Sequence, residues 1–252
     1  MNPILRLDKV CKCFGGVCAA DDVTFSVLPG EVHGLIGPNG AGKSTLMNLI
    51  SGIYTPDSGS LFLDEKDISS VPSYMRARLG IGRTFQTPRF LQRSSIRDNL
   101  LLGTDLANQF GYLKSYFGKK GADFEHELSD LMRFTDFTFD WDDDINALAY
   151  GQRKQLEIVR SLLTHPKVML VDEPAAGLNN KEIDDVMALL NYAAKECGIG
   201  VLLIEHSMDM IMNICEDIVV LCFGKVIATG GPAQVSSNQA VIEAYLGRDM
   251  DA

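Results

Sequence analysis

Short apolar runs with no polar interruption, set among stretches of helical period, organise this chain. Val32 to Ile36, Val168 to Val171, "GVLLI" at 200–204 and "DIVVLC" at 217–222 are such runs. Runs this short, without alternation, predict strands covered on both faces. "LRLDKVCKCF" alternates weakly and predicts another strand. "DVTFSV" predicts one more, turning into Val32 through Pro29–Gly30, where proline presets the first turn dihedral and glycine accepts a positive one. "KSTLMNLISG" reads as a helix closed by Gly52. "TPDSGSLFLDEKDI" reads as a hairpin. From about 90 to 165 the period is helical, with a loop-rich "NQFGYLKSYFGKKGADF" inside it. In "NKEIDDVMALLNYAAKECG", Ile183, Val186, Met187 and Leu190 share one helical face and Gly198 is the stop. Strand–helix–strand alternation predicts a mostly parallel sheet. The expectation is one α/β domain, with its core in 1–89 and 164–252 and a helical subdomain over about 90–163.

Composition narrows the classes. The chain has 252 residues, 46% of them hydrophobic, enough for a substantial core. Its formal charge is −10 and its sequence pI about 4.8. Such a balance argues against a nucleic-acid binder and against direct attraction to an anionic membrane. Any work at a membrane therefore calls for a protein partner. The six cysteines contain no CxxC pair and no ligand quartet. All are read as small buried or half-buried thiols in a reducing compartment. "MNPILRLDKV" has no signal-peptide pattern, and no run approaches the roughly 20 apolar residues that span a bilayer. The expected location is cytoplasmic.

The candidate chemistry begins at "GPNGAGKST", residues 37–45, between a predicted strand and a predicted helix. This is a phosphate cradle. Gly37, Gly40 and Gly42 are expected to let the backbone curl so that N–H groups of Asn39 to Thr45, Ala41 among them, face an anion. A side chain at those glycines is expected to block the approach. Lys43 would reach the β- and γ-phosphates, and Ser44 would offer an oxygen to Mg²⁺. "VMLVDEP" is the expected second half. Its strand ends in Asp172 and Glu173, at the rim where ligands of such sheets bind. Asp172 would hold Mg²⁺ through water, and Glu173 would act as general base on the attacking water.

Glycine loop, carboxylate strand and helical insertion together resemble the ATP-binding cassette (ABC) ATPases. "LAYGQRKQLEIVRSL", residues 148–162, is similar to the family signature, usually Leu-Ser-Gly-Gly-Gln, just before a helix. Gln86 in "GRTFQTPRF" matches the glutamine loop, His206 in "LLIEHSMD" the switch histidine, and Phe14 in "KCFGG" the aromatic that stacks on adenine. The resemblance covers essentially the whole chain. It implies a P-loop NTPase fold, with a RecA-like mostly parallel core, an antiparallel β subdomain and the inserted helical subdomain. It implies ATP and Mg²⁺ as cofactors, with Gln86 touching metal or water. It also implies a head-to-tail dimer in which Ala149, Tyr150, Gly151 and Gln152 meet the partner's nucleotide. The sequence departs from the commonest signature at Ala149 and Tyr150. The missing serine hydroxyl would cost roughly 1.5–3 kcal/mol of contact with a charged phosphate. Asn179 stands where the family often has aspartate and is expected to hydrogen-bond across the dimer without charge. His33, His126 and His165 sit in no motif and are read as structural or surface residues.

"LAYGQ", "DEPAAGLN", the "IEH" segment and the ending "GGPAQVSSNQAVIEAYLG" resemble the ATPase subunits of branched-chain amino acid importers. That likeness implies two cassette subunits, identical or not, on transmembrane permease subunits. It implies an extracytoplasmic solute-binding protein acting indirectly, and a peripheral place on the inner membrane face. Urea or amide importers of the same branch are the alternative, as is an ABC ATPase outside transport.

Overall fold

The computed structural model describes residues 2–108 and 120–246. Strands β1 (Leu5–Phe14), β2 (Val17–Val27), β4 (Ser58–Leu63) and β5 (Lys66–Asp67) form an antiparallel sheet in the order β2-β1-β4-β5. Strands β3 (Val32–Ile36), β6 (Ile81–Arg83), β7 (Val168–Asp172), β8 (Gly200–Ile204), β9 (Asp217–Cys222) and β10 (Lys225–Gly230) form the second sheet, in the order β10-β9-β3-β8-β7-β6. Its pairs are parallel apart from edge strand β10. The helices are α1 (Lys43–Ile50), α2 (Ser73–Leu79), α3 (Ile96–Asn108), α4 (Lys120–Met132), α5 (Tyr150–Leu162), α6 (Asn180–Lys195), α7 (Met208–Ile214), α8 (Pro232–Ser236) and α9 (Gln239–Leu246).

The uninterrupted apolar runs fold as expected because both faces of the parallel sheet are covered. Strand β7 divides its side chains by the pleat. Val168 and Leu170 enter a core with α1 and the antiparallel sheet, while Met169 and Val171 enter a second core with the helices. Helix α1 lies in the first of these, and its Leu46, Met47, Leu49 and Ile50 have no exposed surface. The second core runs without a break from Phe90, Ile96 and Leu131 to Leu156, Val186 and Leu203. The described residues of 90–163 in this cluster therefore share apolar packing with the sheet. Burying one such aliphatic side chain contributes about 1.5–3 kcal/mol. The shared face is what holds the helical segment on the core.

Three expectations change. The loop-rich segment from Asn108 falls partly outside the described residues, but Lys120–Phe124 begin α4. Helix α2 and strands β6 and β10 were not legible from the pattern. The cysteines are not all thiols: Cys13 and Cys18, register partners across the β1–β2 hairpin, form a disulfide. Cys197 is exposed, whereas burial pushes the Cys215 thiol up to about 12, an inert core position. No helix among the described residues is long and apolar enough to cross a membrane. His33 is buried and stacked on Phe25, and burial lowers its proton affinity; His126 and His165 are surface residues.

Candidate nucleotide site

Parallel pairing of β6, β7, β8 and β3 brings their carboxyl ends to one rim. The rim gathers four loops: residues 37–42 after β3, Thr84–Gln86 after β6, Glu173 after β7, and Glu205–His206 after β8. Residues spread from 37 to 206 in the sequence thus meet without any long-range motif.

The glycine loop runs from β3 into α1 as expected. Gly37, Gly40 and Gly42 have φ of 149°, 77° and 111°, conformations that side chains disfavour. The reason for two of them differs from the expected one. A Cβ at Gly37 would lie 2.1 Å from the Leu221 carbonyl oxygen, and one at Gly42 would lie 2.0 Å from that of Ala19. These glycines are demanded by the protein's own backbone crossing the loop. Gly40 faces open space and needs only its dihedral. The buried Lys43 ammonium donates to the carbonyls of Gly37 at 2.6 Å and Pro38 at 3.2 Å. Gly42 caps α1 with no side-chain acceptor, so the first-turn N–H groups of Ser44 and Thr45 remain available to an anion. Asn39 and Ser44 are exposed, and Ala41 is buried.

Glu173 is the centre of the rim. Its backbone is left-handed, φ 47°, unusual for a non-glycine residue and costly unless held. Its N–H donates to the Ile204 carbonyl at 2.9 Å. One carboxylate oxygen accepts from Gln86 Nε2 at 2.6 Å, and the other lies 3.0 Å from His206 Nε2. Three expected residues from three strands thus converge. Asp172, next door, is mostly buried, with Arg83 3.9 Å away. Burial pushes its carboxyl above the usual range, and Arg83 pulls the other way. Glu205 was not singled out by the sequence. It is buried and accepts from the N–H groups of Ala175 at 2.7 Å and His206 at 2.7 Å, tying the two acidic-rim loops together. The polar residue ending the apolar run "GVLLIE" was the available signal.

The signature straddles the start of α5, with Leu148 and Ala149 before the helix and the rest in its first turn. Ala149 is its N-cap, and Tyr150, Gly151 and Gln152 follow. Gln152 Oε1 accepts from the Ala149 N–H at 2.9 Å, and alanine offers nothing in return. Gly151 is buried; a Cβ there would meet Glu182 Oε1 at 2.1 Å. The Tyr150 hydroxyl donates to the Gln86 carbonyl at 3.3 Å. Asn179, expected to bond across a dimer, spends its side-chain oxygen as N-cap of α6, accepting from the Glu182 N–H at 3.0 Å. Phe14 stands 45% exposed at the end of β1, edge-on to Tyr54 at 5.3 Å. Its ring is open to a stacking partner, and it is no core residue.

Fold and rim together are those of a P-loop nucleoside triphosphatase. Residues 20–176 match the ABC transporter family, and residues 225–251 match a further family described as branched-chain amino acid ATP-binding cassette transporter. The chain belongs to the ABC transporter family and is an ATP-binding cassette ATPase. It is 38% identical to the high-affinity branched-chain amino acid transport ATP-binding protein BraF of Pseudomonas aeruginosa, over 98% of each chain. It is 34% identical to the corresponding protein LivG of Escherichia coli, again over 98% of each. A solved ATP-binding cassette of an ABC transporter in its ADP conformation superposes with a TM-score of 0.83 at 34% identity, covering 98% of this chain and 100% of that one.

Proposed function

We propose that this chain is the ATP-hydrolysing subunit of an importer for branched-chain amino acids. The observation that carries the substrate class is the full-length similarity to ATP-binding proteins of high-affinity branched-chain amino acid transport, which extends through the C-terminal segment 225–251. In this reading Phe14 stacks on adenine, and the Gly37–Thr45 loop with Lys43 grips the phosphates. Glu173, held by Gln86 and His206, orients and deprotonates the attacking water; His206 also faces the γ-phosphate. Such catalysis is mostly positioning and charge stabilisation.

The residues present fit Mg²⁺. Ser44, Gln86 and Asp172 offer hard oxygen donors at the same rim as the glycine loop. Bound there, the ion would neutralise charge between the β- and γ-phosphate oxygens.

A second cassette completes each site, its Ala149–Gln152 turn meeting the nucleotide held by the first. Permease subunits hold the pair at the inner membrane face. A groove of about 830 Å³ between core and helical segment, bordered by Ile53, Leu79, Phe85 and Leu102, suits an inserted permease element and touches the glutamine loop. Substrate class is tested by ATP turnover of the assembly reconstituted in vesicles with its binding protein. Leucine, isoleucine or valine is expected to stimulate turnover, and urea or amides are not; the reverse order would refute the assignment.

Ala149→Ser is expected to act twice. As an N-cap, serine accepts from the Gln152 N–H and stabilises α5 by about 1 kcal/mol. It also offers a hydroxyl to the facing nucleotide, so the ATP-bound dimer should tighten, as sedimentation would read. A gain in melting temperature without a gain in dimer affinity would assign alanine's cost to the helix alone.

A further inference from the structure

Lys154 lies on the second turn of α5, two residues beyond the signature, and only 3% of its surface is exposed. A buried ammonium is costly unless paired. Its Nζ donates to the main-chain carbonyl of Glu173 at 2.5 Å. Desolvation lowers its proton affinity, and the carboxylates of Glu205, Glu173, Glu157 and Asp172 around it offset part of that. The bond falls on the left-handed residue. The Glu173 N–H donates to Ile204, and its carbonyl accepts from Lys154 and, at 3.3 Å, from the Ala176 N–H, so both backbone groups of the strained turn are held.

The same helix also holds Gln86, the side-chain partner of Glu173. The Tyr150 hydroxyl donates to the Gln86 carbonyl, and the buried Glu157 carboxylate accepts from the N–H groups of Phe85 at 3.4 Å and Arg89 at 3.1 Å. Tyr150 also packs beside Gly177, where a Cβ would meet its ring at 3.2 Å. One rigid element thus fixes the backbone under both ends of the 2.6 Å Gln86–Glu173 hydrogen bond.

We propose that Lys154 and Tyr150 are positioning residues for ATP hydrolysis, locking the main chain of Glu173 and Gln86 so that the two side chains meet in register. The proposal rests on the role given to Glu173 above. Neither residue acts on water. Lys154 fixes the turn from behind, and Tyr150 fixes the glutamine loop. Small displacements of reacting groups cost about 10²-fold in rate, which sets the scale expected.

The test uses the full chain in its reconstituted assembly. Lys154→Met is expected to lower kcat roughly 30-fold or more, with the Kd for Mg-ATP changed less than about twofold. Lys154→Arg, which keeps charge and donors, should recover kcat to within about fivefold. Tyr150→Phe, which keeps the ring and removes only the hydroxyl bonded to Gln86, should lower kcat by about three- to tenfold. In a Glu173→Gln background neither change should lower the residual rate further, as for residues acting as one unit. Wild-type kcat in both Lys154→Met and Tyr150→Phe, with Glu173→Gln inactive, would overturn the positioning role alone. For Lys154→Met, Kd rising in step with the kcat loss would overturn it too, in favour of a general folding role. If Lys154→Met does not fold, Tyr150→Phe decides by its kcat, alone and in the Glu173→Gln background. Near-normal turnover by Glu173→Gln would instead overturn the assignment of Glu173 itself.

Discussion

Glu173→Gln should bind Mg-ATP with wild-type affinity and hydrolyse it about 10²–10⁴-fold more slowly, the range supplied by a positioned general base. The substitution keeps shape and the Ile204 and Lys154 backbone bonds, so the left-handed turn survives. It removes the one group at the rim that can take a proton while held between Gln86 and His206. On the proposed reading phosphate grip falls to other residues, the Gly37–Thr45 loop and Lys43, so affinity should be spared. Stopped turnover with intact nucleotide binding, measured on the same preparation, checks both halves. A rate within tenfold of wild type would transfer the base role elsewhere, with His206 the next residue to examine.

Gly42→Ala should be the most damaging small substitution. Alanine would adopt φ 111° and place Cβ 2.0 Å from the Ala19 carbonyl oxygen, so two backbone segments must separate. A loss of about 4 kcal/mol or more is expected, together with loss of nucleotide binding. Gly40→Ala, in open space at φ 77°, carries only the dihedral cost of about 1–2 kcal/mol. Urea midpoints of the two variants compare them directly. Equal losses would mean that packing behind the loop is unimportant.

That contrast marks what the sequence could disclose. Strand, glycine loop and helix were legible because the motif is local, and so were Asp172 and Glu173 at the end of an apolar run. The reason for Gly37 and Gly42 was not, because the obstructing carbonyls belong to Leu221 and Ala19, and only folding brings them near. Strand β6, three residues long, and helix α2, with its single buried side chain at Arg76, were too short to carry a period. Glu205 and Lys154 are charged residues that pattern reading assigns to solvent, yet both are buried against main-chain groups. The Cys13–Cys18 pairing depended on strand register, which spacing does not reveal. Asn179 and Glu182 form a capping box, a local signal that the sequence did carry.

Helix α1 is clamped between two sheets with every apolar side chain engaged. The loop it carries is therefore stiff before any nucleotide arrives, and little disorder remains to be lost on binding. Gln86 is solvent-exposed on the loop between β6 and α3, and the Tyr150 hydroxyl holds its carbonyl.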